Sequence, residues 1–191
     1  MYKRQLVIGP GKRTGTPTTQ DLQRLAFGTT EVASAAHDLG IVTGLHPHWN
    51  TVVQDRAEIE QFFDLVDTDL VKLALDPAHI AKAGDDPVKI ASTYSEILAY
   101  MHIKDYVPEL DIPSQVIPTS QDHAPRIAFF GELGTGVVDL PALLDVARTS
   151  NYNGWLTVEL DQSQTTPRQS LEINSRYLTE QLGFDLGGDN R

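Results

Sequence analysis

A chain of 191 residues, 40% hydrophobic and 21% charged, has enough apolar material for one sizeable core and does not have the composition of a disordered segment. Its 15 Lys and Arg against 26 Asp and Glu leave a net charge of -11 with no local basic patch, which argues against nucleic acid as a partner. Without cysteine, disulfides and thiolate metal sites are excluded, and any metal must be held by oxygen and imidazole. The N-terminal stretch Met1-Tyr-Lys-Arg-Gln-Leu-Val-Ile8 lacks the long apolar region of a signal peptide, and no run approaches about 18 apolar residues. A soluble, cytoplasmic protein with no membrane partner is expected.

Gln5 to Ile8 is a short apolar run stopped by Gly9-Pro10-Gly11, as a buried strand would be. Thr18 and Asp21 have the spacing of a capping box, and Leu22, Leu25, Ala26, Val32, Ala36 and Leu39 keep a helical stripe as far as Gly40. Ile41 to Leu45 predicts a second strand, and Asp55 with Glu58 opens a helix that turns Ile59, Phe62, Phe63 and Val66 inward. Leu70 to Leu75 is a third strand, followed after a loop by Asp86-Pro87, an N-cap with proline at N1, and a helix through Ala91, Tyr94 and Leu98. The segment Ile97 to Ile103 mixes that helix's end with a fourth strand. Tyr106 to Gly131 holds Pro108, Pro113, Pro118 and Pro125 without periodicity, as a long binding loop or a variable insertion would. Asp139 caps a helix through Leu143, Leu144 and Val146; Gly154 to Leu160 is a fifth strand, and Pro167 starts a last helix with Leu171, Leu178 and Leu182.

Strands alternating with amphipathic helices imply an α/β fold of parallel strands with right-handed crossovers. Ionisable residues fall at almost every strand end: His46 and His48, Asp76 and His79, His102 and Asp105, Glu159 and Asp161. In a (β/α)8 barrel all such ends open on one face, so these groups would converge there, whereas an open sheet would gather only those near a switch point. A barrel is therefore favoured, although a typical one takes about 250 residues and only five strand-helix units are readable here. Five strands of eight would leave two unpaired parallel edges, so the isolated chain is expected to be poorly stable or to form homo-oligomers.

Carboxylates and imidazoles from adjacent strands suit a hard or borderline divalent cation such as Mn²⁺, Mg²⁺ or Co²⁺. Any one of them alone reads better as a helix cap or a satisfied hydrogen bond; three or four on consecutive strands reverse that balance. His37 and His123 have blander readings, and Asp21, Asp55, Asp86 and Asp139 read as helix caps. Gly134-Thr-Gly136 reads as a turn, and so does Gly9-Pro-Gly-Lys12-Arg13, although Lys12 and Arg13 are able to meet an anionic substrate group.

Leu75-Asp-Pro-Ala-His79, His102-Ile-Lys-Asp105, Gly134-Thr-Gly-Val-Val-Asp139 and Gly154-Trp-Leu-Thr-Val-Glu159, in this order and spacing, resemble the xylose isomerase-like TIM-barrel superfamily. The superfamily includes sugar phosphate isomerases/epimerases, ketose 3-epimerases, inosose dehydratases and endonuclease-IV-like proteins. The resemblance runs from about Gln5 to Leu182. It implies that residues 1–191 form one domain, the C-terminal portion of such a barrel, about strands four to eight. It implies a metal held by Asp76, His102 and Glu159, with His46 as fourth ligand where the epimerase pattern has a glutamate. His79 would contact substrate near the metal, with His48, Lys104 and Asp105 as further substrate-binding groups, and Glu159 with His46 or His79 would handle protons.

The family chemistry is enolisation next to a carbonyl of a carbohydrate or cyclitol. Epimerases use two opposed glutamates, a scheme that His46 puts in doubt, while His46-Pro-His48 with the following Thr51-Val-Val-Gln54 looks like inosose dehydratases. The leading expectation is thus a metal-dependent sugar isomerase/epimerase. An inosose dehydratase-type lyase and a non-catalytic truncated remnant are the alternatives.

Overall fold

The computed structural model describes residues 4–111 and 129–187. Parallel strands β1 (Gln5–Ile8), β2 (Val42–Leu45), β3 (Val71–Leu75), β4 (Leu98–Ile103) and β7 (Trp155–Val158) form one sheet in the order β1-β2-β3-β4-β7. The crossovers run through α1 (Thr19–His37), α2 (Arg56–Phe63), α3 (Pro77–Lys82) with α4 (Pro87–Thr93), and α5 (Leu140–Thr149); α6 (Pro167–Glu180) follows the last strand. A short antiparallel ribbon of β5 (Asp105–Tyr106) and β6 (Phe130–Gly131) stands apart from the sheet.

The sheet is strongly curled. The Gln5 side chain on β1 donates to the carbonyl of Ala99 on β4, although three inter-strand spacings would separate them by about 14 Å if the sheet were flat. This is the curved wall of a partial (β/α)8 barrel. The helices bury Leu22, Ile59, Phe62, Ile80, Ile90 and Leu143 with the strand residues Leu73, Leu75, Met101 and Ile103 in one cluster.

The local signals act as their chemistry requires. Thr18 with Asp21 and Asp55 with Glu58 both close reciprocal capping boxes, and Asp86 caps α4 with Pro87 in its first turn. Other expectations are corrected. The supposed loop after β3 contains α3, whose six residues are too few to show a periodicity, and α4 stops at Thr93, leaving Leu98 to start β4. On α1 the buried stripe is Leu22, Ala26, Thr29, Ala33 and Ala36, while Val32 and Leu39 face outward, as does Leu171 on α6. Tyr106 and Gly131, at the two ends of the irregular segment, belong to the ribbon, where they face Phe130 and Asp105 respectively; Pro113, Pro118, His123 and Pro125 lie outside the described residues.

Among the described residues β1 pairs only with β2, and β7 only with β4. Leu6 and Val7 on the first edge and Trp155 on the last are exposed. Unpaired parallel edges with apolar side chains template further pairing. The isolated chain is therefore expected to sediment above its monomer mass, and Val7→Lys to reduce that association.

Candidate metal centre and active site

A parallel sheet sends every strand's C-terminal end to one side, and four adjacent ends meet here. His46 follows β2, Asp76 follows β3, His102 lies near the end of β4 and Glu159 follows β7. The rings of His46 and His102 are 5.1 Å apart although β3 lies between their strands, which the curl of the sheet allows. One ligand atom each of His46, Asp76 and His102 lies within 4.8 Å of the others, a group able to hold a metal ion.

Asp76 is fully buried. Its Oδ1 caps α3 by accepting from the N–H groups of Ala78 (2.9 Å) and His79 (3.3 Å). Its Oδ2 faces His102 Nδ1 at 3.1 Å and both His79 Nε2 and Lys104 Nζ at 3.6 Å. Burial alone would raise its pKa, but the hydrogen bond from His102 and the charges around it hold the carboxyl well below the usual range.

His102 Nδ1 is also 2.5 Å from Glu159 Oε2. Burial opposes the charged imidazole, yet the two carboxylates overcome it and push His102 up to about 9. The same contact pulls Glu159 down to about 2, with Lys104 assisting. One ring N–H cannot serve two carboxylates, and Glu159 Oε2 is left buried with no aligned donor. A divalent cation before the ring's lone pair would satisfy both oxygens. The oxygen and imidazole donors therefore fit a hard or borderline ion.

His46 donates Nδ1–H to the Ala74 carbonyl at 3.2 Å, which leaves the lone pair on Nε2; burial lowers its pKa. His48 Nδ1 lies 2.6 Å from the Trp49 carbonyl, so that nitrogen carries the proton and Nε2 is again the acceptor. The His48 and His79 rings stack at 3.5 Å. His79 is pushed down to about 3, chiefly by burial, and among the described residues its buried Nδ1 has no partner.

Lys104 and Asp105 diverge, as successive residues of an extended segment do. Lys104, 1% exposed, reaches Asp161 at 3.0 Å, Glu159 at 3.4 Å and Asp76 at 3.6 Å over the face of Phe130. The Asp105 carboxylate instead accepts the backbone N–H groups of Gly134, Gly136 and Val138 and braces that turn. A Cβ at Gly136 would collide with Asp105 and with the Tyr106 carbonyl, which explains the glycine. Arg13 forms a two-pronged pair with Glu58 and also donates to the Thr51 carbonyl, fastening the loop that carries the two histidines. Asp161's grip on Lys104 and the surroundings of Lys82 had no sequence signal beyond position; a strand-end carboxylate was the only hint for the former.

A family model described as xylose isomerase-like TIM barrel matches residues 1–181. The chain belongs to this family. Within the xylose isomerase-like family it is similar to the inosose dehydratase of Lacticaseibacillus casei, 29% identical over 150 residues that cover 76% of this chain and 49% of that protein. It is also similar to the inosose dehydratase of Clostridium botulinum, 30% identical over 162 residues that cover 84% of this chain and 54% of that one. The chain thus spans about half the length of the curated relatives it matches. Among solved structures, the probable 3-DHS dehydratase AsbF of Bacillus anthracis shares the fold with a TM-score of 0.73 at 17% identity, over 92% of this chain and 63% of that one. The IolI protein with a bound zinc atom aligns with a TM-score of 0.69 at 17% identity, over 96% of this chain and 65% of that one. The xylose isomerase-like barrel thus accounts for the parallel curl and the convergent strand ends. Among the described residues no helix is long and apolar enough to cross a membrane.

Proposed function

We propose that this chain carries the metal-binding part of a hydro-lyase site acting on a cyclitol or sugar ketone, and that residues 1–191 form the five C-terminal units of the barrel as one domain. The observation that carries the reading is the pair His46 and His48 at the end of β2, where the epimerase pattern has a glutamate. The inosose dehydratase relatives support the same choice.

His46 Nε2, Asp76 Oδ2, His102 Nδ1 and Glu159 Oε2 would hold the ion. When bound, a divalent cation supplies Lewis acidity toward a carbonyl and its neighbouring hydroxyl. His46 has a single free lone pair, so as a ligand it has none left to take a proton. Proton transfer then falls to His48, whose Nε2 has no hydrogen bond among the described residues and whose orientation the Trp49 carbonyl fixes. His48 removes the proton next to the carbonyl and returns it to the departing β-hydroxyl, so the substrate loses one water and the imidazole is regenerated. Lys104, pinned by Asp76, Glu159 and Asp161, keeps a positive charge beside the negative charge that develops on oxygen. Glu159, pulled down to about 2, is a poor proton acceptor, which disfavours a two-carboxylate epimerase scheme. His79, neutral and packed against His48, would contact substrate.

Epimerisation is the second reading, supported by the likeness to the fold of 3-keto-D-glucoside 4-epimerase YcjR from E. coli. Incubation with inosose and with ketohexoses in the presence of Mn²⁺, followed by mass spectrometry, separates the two. A product lighter by one water is expected from inosose, and His48→Gln is expected to lower kcat about 10²–10⁴-fold. Products of unchanged mass alone would overturn the lyase reading.

A further inference from the structure

Lys82, the last residue of α3, is one of the most deeply buried lysines, with its side chain 3% exposed. Its Nζ stands 4.1 Å from the centre of the Trp49 ring, 3.9 Å from Phe129 and 5.3 Å from Tyr106, and pairs with the Asp111 carboxylate. Asp111 also accepts from the Tyr106 hydroxyl at 2.9 Å, and Trp49 meets Phe129 edge to face. Burying an ammonium is costly, and a methionine would fill this box without desolvating a charge. What the ammonium adds is attachment, because it binds one carboxylate and several ring faces at once.

Trp49 connects this cage to the site. Its ring lies against Lys82, and its carbonyl accepts the Nδ1–H of His48. The same helix carries His79 one turn before Lys82, and His79 stacks on His48. We infer that Lys82 is a positioning residue: it holds the Trp49 ring, thereby fixes the Trp49 carbonyl, and so keeps His48 in the tautomer that presents Nε2 to substrate. The inference rests on His48 as the proton-transferring group.

The test uses the full metal-free chain without substrate. In a Trp155→Phe background Trp49 is the sole tryptophan, so its emission reports on the cage, while ¹⁵N spectra of the imidazoles, assigned with His48→Gln, report the tautomer. Lys82→Met is expected to shift Trp49 emission to the red, to increase quenching by acrylamide and to change His48 from one tautomer to a mixture. Lys82→Arg, which keeps a cation over the rings, is expected to retain the original pattern. Trp49→Leu, which leaves Lys82 and the backbone carbonyl in place, is expected to reproduce the mixture and serves if Lys82→Met fails to fold. A His48 tautomer unchanged in Trp49→Leu or in folded Lys82→Met, or an equal loss in Lys82→Arg, would overturn the inference. A fixed tautomer that depends on Lys82, together with an unchanged kcat for His48→Gln, would instead refute the proposed function and leave the positioning role standing.

Discussion

Asp76→Ala is expected to abolish metal binding and to lower stability by about 3–5 kcal/mol, the range found when one partner of a buried ion pair is removed, whereas Asp76→Asn should lose the metal as well but melt above Asp76→Ala by the cap's contribution of about 1 kcal/mol. Asp76 has two separable duties. Through Oδ1 it caps α3 by accepting from Ala78 and His79, a contribution of about 1 kcal/mol. Through Oδ2 it faces His102, His79 and Lys104 in a site where the lysine is 1% exposed. Alanine removes both and leaves Lys104 with only the half-exposed carboxylates of Glu159 and Asp161. Asparagine keeps an acceptor for the cap and the shape of the side chain but removes the charge a cation needs. Calorimetric titration with Mn²⁺ and thermal melts of the three proteins separate the effects. Metal affinity should fall in both variants by more than the about 10–100-fold typical of losing a supporting partner. Unchanged affinity in both would remove Asp76 from the metal site.

Much of this arrangement is local chemistry and was legible on that account. Capping boxes at Thr18 and Asp55 and the Asp86-Pro87 start depend on residues a few positions apart, and the structure forms each of them. Strand-helix alternation fixes a parallel sheet, and a parallel sheet brings His46, Asp76, His102 and Glu159 to the C-terminal ends of its strands, on one side, whatever the loops do. The helix α3 is too short to show a periodicity, although Asp76-Pro77 repeats the grammar of Asp86-Pro87; Asp76 is both its cap and a member of the cluster. Lys104 and Asp105 carried a common expectation as substrate groups, whereas period-two alternation sends one to the cluster and the other to the Gly134 turn. The exposed Val32 and Leu39 show that a helical stripe specifies a face only when something packs on it. The Lys82 cage has no linear signature, since its members, residues 49, 82, 106, 111 and 129, come from α3, β5 and separate loops.

The second large effect expected is on the pH dependence of metal binding. In the metal-free chain His102 holds a proton up to about 9, and that proton sits on the nitrogen a cation would take. Glu159, at about 2, and Asp76, held low, are already ionised at neutral pH, and the His46 pKa is lowered, so none of them has a proton to release. Binding should then release one proton, and apparent affinity should rise about tenfold per pH unit between pH 7 and 9 before levelling. The stability of the metal-free chain should run the other way. His102 is raised from 6.5, so its contribution is full below that value and is lost as pH rises through about 9. Glu159 is lowered from 4.5, so its contribution is present above that value and is lost as pH falls toward 2. The cluster therefore favours the metal-free fold most between about 4.5 and 6.5, and added metal should extend that range upward. Titrations with Mn²⁺ across pH 6 to 10, paired with melts in chelator, measure both slopes. An affinity that does not change between pH 7 and 9 would mean that the cation does not displace the His102 proton, and the ion would then have to be held by His46 and the carboxylates without that ring.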